Sequence, residues 1–148
     1  MYHYVESGLP NIYLENGYER VDTPYGPAVT IRDVEKLHAA IARTMVEDKP
    51  WLTGPEVRFI RKFLDLTQAQ LGDLLGVEDQ SVRRWEKLAR VPRSADRAVR
   101  LVFRDLTDEA TSRPLPELVQ RLAETEGPDL LEYRFRPRAK NRRWVIAA

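Results

Sequence analysis

Gln80, Ser81 and Arg84 are the side chains best placed to do chemistry, and the chemistry is hydrogen bonding. An amide, a hydroxyl and a guanidinium at this spacing fall on one side of a helix. A small face running from polar to basic suits the major groove of DNA. A basic run adjoins it. Residues 83–104 carry Arg83, Arg84, Lys87, Arg90, Arg93, Arg97, Arg100 and Arg104 against Glu86 and Asp96, eight minus two, a local charge of +6. Such a patch reads as phosphate-facing, and the plain alternative is a solvated helix surface with its own salt bridges.

No catalytic set accompanies these residues. The chain has no cysteine, no Gly-rich phosphate loop and no His-Glu-x-x-His. Its carboxylates are scattered. His38 falls on a helical stripe and reads as a packed residue, and Tyr2, His3 and Tyr4 form a small aromatic cluster that reads as packing. Without thiols, disulfides and thiolate metal sites are excluded, and two histidines are too few for an ordinary zinc site. The expectation is a protein that is not an enzyme and that needs no metal and no cofactor.

The candidate face needs two short helices and a tight turn. Thr67 caps the first, and Gln70 completes a capping box. Leu71, Leu74 and Leu75 are expected on its buried side, Gly76 ends it, and Val77 plugs the turn. Glu78 or Asp79, with Asp79 favoured, caps the second helix, whose buried side carries Val82 and Trp85. Upstream, Asp33 is a good N-cap for a helix with Val34, Leu37, His38 and Ile41 in a stripe to about Val46. Thr53 caps another, with Pro55 in its first turn and Val57, Ile60, Phe63 and Leu64 as its apolar face. Downstream, a helix starts at Ser94 or Ala95 with Ala98, Leu101, Val102 and Leu106 expected inside, and residues 115–123 predict one more.

The two ends read as β-structure. Ile12 to Leu14, the hairpin signal Asn16-Gly17 and Tyr18 to Val21 predict a hairpin, and Thr23 to Pro27 is a second turn before a strand at Ala28 to Ile31. Near the C-terminus Leu131, Tyr133 and Phe135 alternate with Glu132, Arg134 and Arg136. Arg134, Arg136, Arg138, Lys140, Arg142 and Arg143 follow without an acidic interruption, and Trp144-Val145-Ile146 is a last apolar patch. The basic arm suits the DNA backbone or minor groove, an acidic partner, or plain solvent.

The fold expected is therefore mainly α with small β segments. Residues 1–50 form a β-hairpin and helix module for dimerisation or partner binding, 51–126 a DNA-binding domain, and 127–148 a basic tail. The first 50 residues hold 5 basic and 8 acidic side chains, a net −3. An apolar fraction of 43% supports a core, and no run approaches the roughly 18 apolar residues of a membrane helix. No signal peptide is visible at the N-terminus, so a cytoplasmic protein is expected.

Gln68-Ala69-x-Leu71, then Leu74-Leu75-Gly76-Val77, then Val82-x-x-Trp85-Glu86 resemble the helix-turn-helix of the Xre and lambdoid-repressor family over about residues 52–106. The resemblance implies a five-helix domain in which Asp79, Gln80, Ser81 and Arg84 read bases. It implies phosphate contacts from Thr67 and Gln68, with Arg83, Lys87, Arg90 and Arg93 positioning the helix. Gln pairs with adenine and Arg with guanine in two hydrogen bonds each. Gly72 departs from the pattern, where Ala is more usual, and is expected to cost up to about 1 kcal/mol of helix propensity. A β-rich segment ahead of such a domain is similar in architecture to antitoxins of the MqsA and HigA type, without the cysteines of a zinc module. This implies a transcriptional regulator, a repressor acting as a homodimer on a palindromic operator in double-stranded DNA, and it gives a toxin as the candidate partner of an autoregulating antitoxin. The alternatives are a protein-interaction module whose ends bind a partner, and a basic RNA-binding protein.

Overall fold

Thr53 and Thr67 each start a helix with a reciprocal cap. In both, the hydroxyl accepts from the backbone N–H three residues on, and the side chain there, Glu56 or Gln70, accepts from the threonine's own N–H. The computed structural model describes residues 1–107, 132–137 and 144–147. Its helices are α1 (Val34–Asp48), α2 (Gly54–Phe63), α3 (Gln68–Leu75), α4 (Asp79–Trp85) and α5 (Arg93–Thr107), and its strands are β1 (Tyr2–His3), β2 (Ile12–Leu14), β3 (Tyr18–Thr23), β4 (Gly26–Ile31), β5 (Tyr133–Pro137) and β6 (Trp144–Ile146). The described part is mainly α with two small sheets. None of its helices is long and apolar enough to cross a membrane. The helix expected at 115–123 lies outside the described residues.

The chain divides into two compact units, one of residues 1–41 with the described residues of 132–147, and one from residue 42 to the end of α5. The described C-terminal strands β5 and β6 therefore belong with the N-terminal module. In the first unit the sheet order is β1-β2-β5-β6. Strand β2 runs antiparallel to β1 and parallel to β5, with Ile12 beside Tyr133 and Leu14 beside Phe135. The alternation seen in the sequence of β5 is the sheet's: Tyr133 and Phe135 are buried, and Arg134 and Arg136 are exposed.

Two local expectations fail here for physical reasons. Asn16-Gly17 does not close a hairpin, because both edges of β2 are taken and β3 instead pairs with β4 around Pro24-Tyr25. Gly17 is needed all the same. It has φ of +83°, and a Cβ there would lie 2.5 Å from the Trp144 ring. Asp33 is not a side-chain cap either. Its φ is +47°, and it is the Asp33 carbonyl that serves, accepting from Leu37 N–H at 3.1 Å and from Trp144 Nε1 at 3.2 Å.

The helical unit buries Met45, Val46, Leu52, Val57, Ile60, Leu71, Val82, Val91, Val99 and Phe103. Its helix α5 turns a different face inward from the one expected. Ala95, Asp96, Val99, Arg100 and Phe103 are buried, while Leu101 and Leu106 are 45% and 48% exposed. The reason is an ion pair made inside. Arg100 Nε donates to Asp96 Oδ1 at 2.6 Å, its Nη1 donates to the Val46 carbonyl at 2.7 Å, and Asp96 Oδ2 accepts from Leu52 N–H at 2.6 Å. Every strong group of the pair has a partner, so both charges tolerate burial. A second such pair, Lys49 Nζ to Glu56 Oε1 at 2.9 Å, is also buried. Helix α3 likewise buries Leu71 and Gly72 and leaves Leu74 52% exposed, since the inward arc lies towards Gly72 and away from Leu74.

Removing Asp96 strands the Arg100 guanidinium and the Leu52 N–H. Asp96→Ala should lower folding free energy by about 3–5 kcal/mol in urea titrations, and a change under 1 kcal/mol would refute the role given to the pair. In the other unit, Tyr4 Oη lies 2.8 Å from His38 Nε2, with the rings stacked at 6.0 Å. Burial holds the His38 pKa below the ordinary 6.5. The unfolded chain then takes up the proton first, so this contribution is present above pH 6.5 and is lost as pH falls from there through the folded value. With only His3 and His38 in the chain, proton NMR resolves the titration, and a His38 midpoint at or above 6.5 would contradict the burial argument.

Candidate nucleic-acid interface

The site is built on α3 and α4 and on the turn between them. Gly76 ends α3 at φ +72°, and Val77 N–H donates to the Gly72 carbonyl at 2.9 Å. That closure explains Gly72. A Cβ at this position would meet the Val77 carbonyl oxygen at 2.7 Å, so the residue that looked like a propensity loss is where the turn folds back onto the helix. Glu78, and not Asp79, occupies the N-cap of α4, and its side chain makes no capping bond. Asp79 is the first helical residue and faces Arg83 at 3.8 Å, so the capping role expected of it is not taken. Its charge still favours the positive N-terminal end of the helix dipole.

Val82 is the buried anchor of α4, and Trp85 beside it is only half-buried. The opposite side carries the candidate readers. Gln80 and Arg84 are exposed, Ser81 is half-exposed, and Arg84 Nη2 lies 3.5 Å from Ser81 Oγ, at the limit of a hydrogen bond. Among the described residues the Gln80 side chain makes no hydrogen bond, so both ends of its amide are open to a ligand.

A bidentate pair fixes α4. Arg61 Nε donates to Glu86 Oε2 at 2.7 Å and Arg61 Nη2 to Glu86 Oε1 at 2.9 Å, while Nη1 reaches the Leu66 carbonyl at 2.9 Å. Gln68 Nε2 adds a longer bond to Glu86 Oε1 at 3.3 Å, and Arg83 Nε lies 3.5 Å from Gln68 Oε1. Gln68 is thus partly engaged in joining α3 to α4. Thr67 spends its oxygen lone pair on the cap and keeps its hydroxyl proton to donate.

These residues surround a cleft of about 520 Å³ lined by Arg58, Arg61, Asp65, Leu66, Thr67, Gln68, Arg83, Glu86 and Lys87. Four of the lining side chains are basic and two acidic, and Arg61 and Glu86 neutralise each other in it. Arg58, Arg83 and Lys87 are exposed and remain available to an anion, as do the N–H groups of Gln68 and Ala69, which precede the capped Gln70 N–H and have no partner within the helix. Arg58 is a residue the sequence did not offer. Its signal was its place between Val57 and Ile60 on the outer side of α2, which only the fold turns towards α4.

Arg90 and Arg93 are exposed past the end of α4. The Arg90 guanidinium sits 4.7 Å from the centre of the Trp51 ring, which steadies it without neutralising it. Arg100 leaves the basic patch, because it is 1% exposed and bound to Asp96. Arg134 and Arg136 stand on the solvent side of β5. Arg138, Lys140, Arg142 and Arg143 lie outside the described residues. Among the described residues no group of three His, Cys, Asp or Glu side chains could hold a metal ion.

The Arg61–Glu86 pair should govern this geometry. Its side chains are 10% and 5% exposed. Glu86→Gln keeps the shape but removes the charge, and is expected to lower stability by about 1–3 kcal/mol in urea titrations. A variant as stable as the parent would show that the pair does not hold α4. Comparison with family models, with curated proteins and with solved structures finds no match to this chain.

Proposed function

We propose that residues 52–106 form an Xre-type helix-turn-helix domain and that the protein is a sequence-specific DNA-binding regulator, a repressor acting as a homodimer on a palindromic operator. The observation that carries this reading is the outer face of α4. Gln80, Ser81 and Arg84 project from it with free hydrogen-bonding capacity, while Val82 and the Arg61–Glu86 pair hold the helix from behind. Gln80 then reads adenine and Arg84 guanine. Asp79, which is engaged with Arg83, contributes at most an acceptor for a cytosine amino group.

Phosphates on either side of the groove meet Thr67, Gln68, Arg83, Lys87, Arg90 and Arg93, with Arg58 added by the cleft. These contacts set register and orientation and carry no base information. A two-fold dimer places its half-sites about 34 Å apart, one turn of DNA. Autoregulation as the cytoplasmic antitoxin of a toxin–antitoxin operon fits the acidic balance of the first 50 residues, since a basic toxin would be drawn to them.

Selection from a random duplex library gives the operator, and variants then test the roles. Arg84→Ala should lose about 1–3 kcal/mol of discrimination at one base pair. Arg93→Ala should weaken all duplexes alike and reduce the salt slope by about one. Tight binding to structured RNA with no preference among duplexes would reject the regulator and support an RNA-binding protein.

A further inference from the structure

The β3–β4 hairpin has one blocked edge and one open edge. Thr23 and Gly26 flank its two-residue loop, and Asp22 faces Pro27 in register. Proline has no N–H, so Asp22 and Pro27 cannot exchange backbone hydrogen bonds. Bonded and non-bonded pairs alternate along an antiparallel ladder. Thr23–Gly26, Val21–Ala28 and Glu19–Thr30 therefore hold the hairpin, and the N–H and C=O groups of Tyr18, Arg20 and Asp22 point away from β4. On the far side, Pro27 removes a donor from the outer edge of β4. Among the described residues no other strand pairs with β3, and Glu19, Arg20, Val21 and Asp22 are all exposed. A two-stranded ribbon alone is marginal in water.

We propose that the open edge of β3 pairs antiparallel with β3 of a second copy of this chain, on a two-fold axis at Val21, so that Arg20 of each subunit faces Asp22 of the other. The proposal deepens the homodimer of the preceding reading and rests on it. The charge pattern selects both partner and register. Only even-numbered residues offer outward groups, so the central registers set Arg20 against Arg20, Arg20 against Asp22, or Asp22 against Asp22. The first and third oppose like charges, which destabilises a strand pair. The second crosses opposite charges, and the symmetry makes the pair twice. Val21 then meets its own copy, covering an exposed apolar side chain, while the Tyr18 ring beneath Arg20 at 6.0 Å braces the guanidinium. The alternating signs resist pairing with unrelated strands.

The absence of cysteine makes the test direct. At a non-hydrogen-bonded antiparallel pair the Cα atoms lie about 4.5 Å apart, within disulfide reach. Mild oxidation of the full-length Val21→Cys chain should give a disulfide-linked dimer, and Tyr25→Cys, at the fully exposed loop tip, should not. By sedimentation, Arg20→Asp and Asp22→Arg should each raise the dimer Kd about tenfold, and the double swap should return it to within about threefold of the parent. A parent chain that stays monomeric, a dimer indifferent to both single changes, or a double swap that does not recover overturns the proposal. A dimer that passes these tests and binds no duplex would reject the operator reading and leave the interface, whereas operator binding by a chain that fails them does the reverse.

Discussion

The bidentate bond between Arg61 and Glu86 is the constraint on which the candidate interface depends. It joins the last turn of α2 to the residue that ends α4, and its third arm reaches the Leu66 carbonyl just before α3 begins. Three pieces of chain are thus fixed by one planar group. A guanidinium suits this because its donors form a rigid fork that matches a carboxylate and leaves one N–H over for a carbonyl. Lysine would supply the charge without the geometry. A helix as short as α4 has little stability of its own, so its position comes from this fork, from Val82 and from the turn closed over Gly72.

The same economy of charge runs through the helical unit. Lys49 with Glu56 and Asp96 with Arg100 are interior pairs that also bind backbone groups. Glu56 completes the cap of α2 while holding Lys49, and Arg100 satisfies a carbonyl of α1 while holding Asp96. These pairs tie α1, α2 and α5 by direction as well as by burial, which apolar side chains alone would not do. They also sort the cations. Of those that stay outside, Arg58, Arg83, Arg84, Lys87, Arg90 and Arg93 gather around α4 and the loop after it. The proposed DNA contact draws on that remainder.

Much of the site was legible because it is local. The Thr67–Gln70 box, the Gly76 turn, the anchor Val82 and the outward Gln80, Ser81 and Arg84 depend on residues within a few positions of each other, and periodicity resolves such spacing. The misjudged points each depend on a contact that periodicity does not encode, whether across a turn or far along the chain. Arg100 reads as surface until Val46 is seen beside it, and Leu101 reads as core for the same reason. Gly72 reads as a weak helix residue until the Val77 carbonyl is placed against it. Arg58 reads as one more outward residue of α2 until the packing turns it towards α4.

The helices of residues 53–86, the caps at Thr53 and Thr67, the turn between α3 and α4 and the alternation of β5 follow from the sequence alone, since short-range sterics and hydrogen bonding decide these. Which charges go inside, which face of α5 is buried, and the entry of β5 into the N-terminal sheet parallel to β2 are set by long-range packing. Parallel pairing between residues 12–14 and 133–135 leaves no local trace. It arises because both edges of β2 need partners, and a chain end more than a hundred residues away supplies one of them.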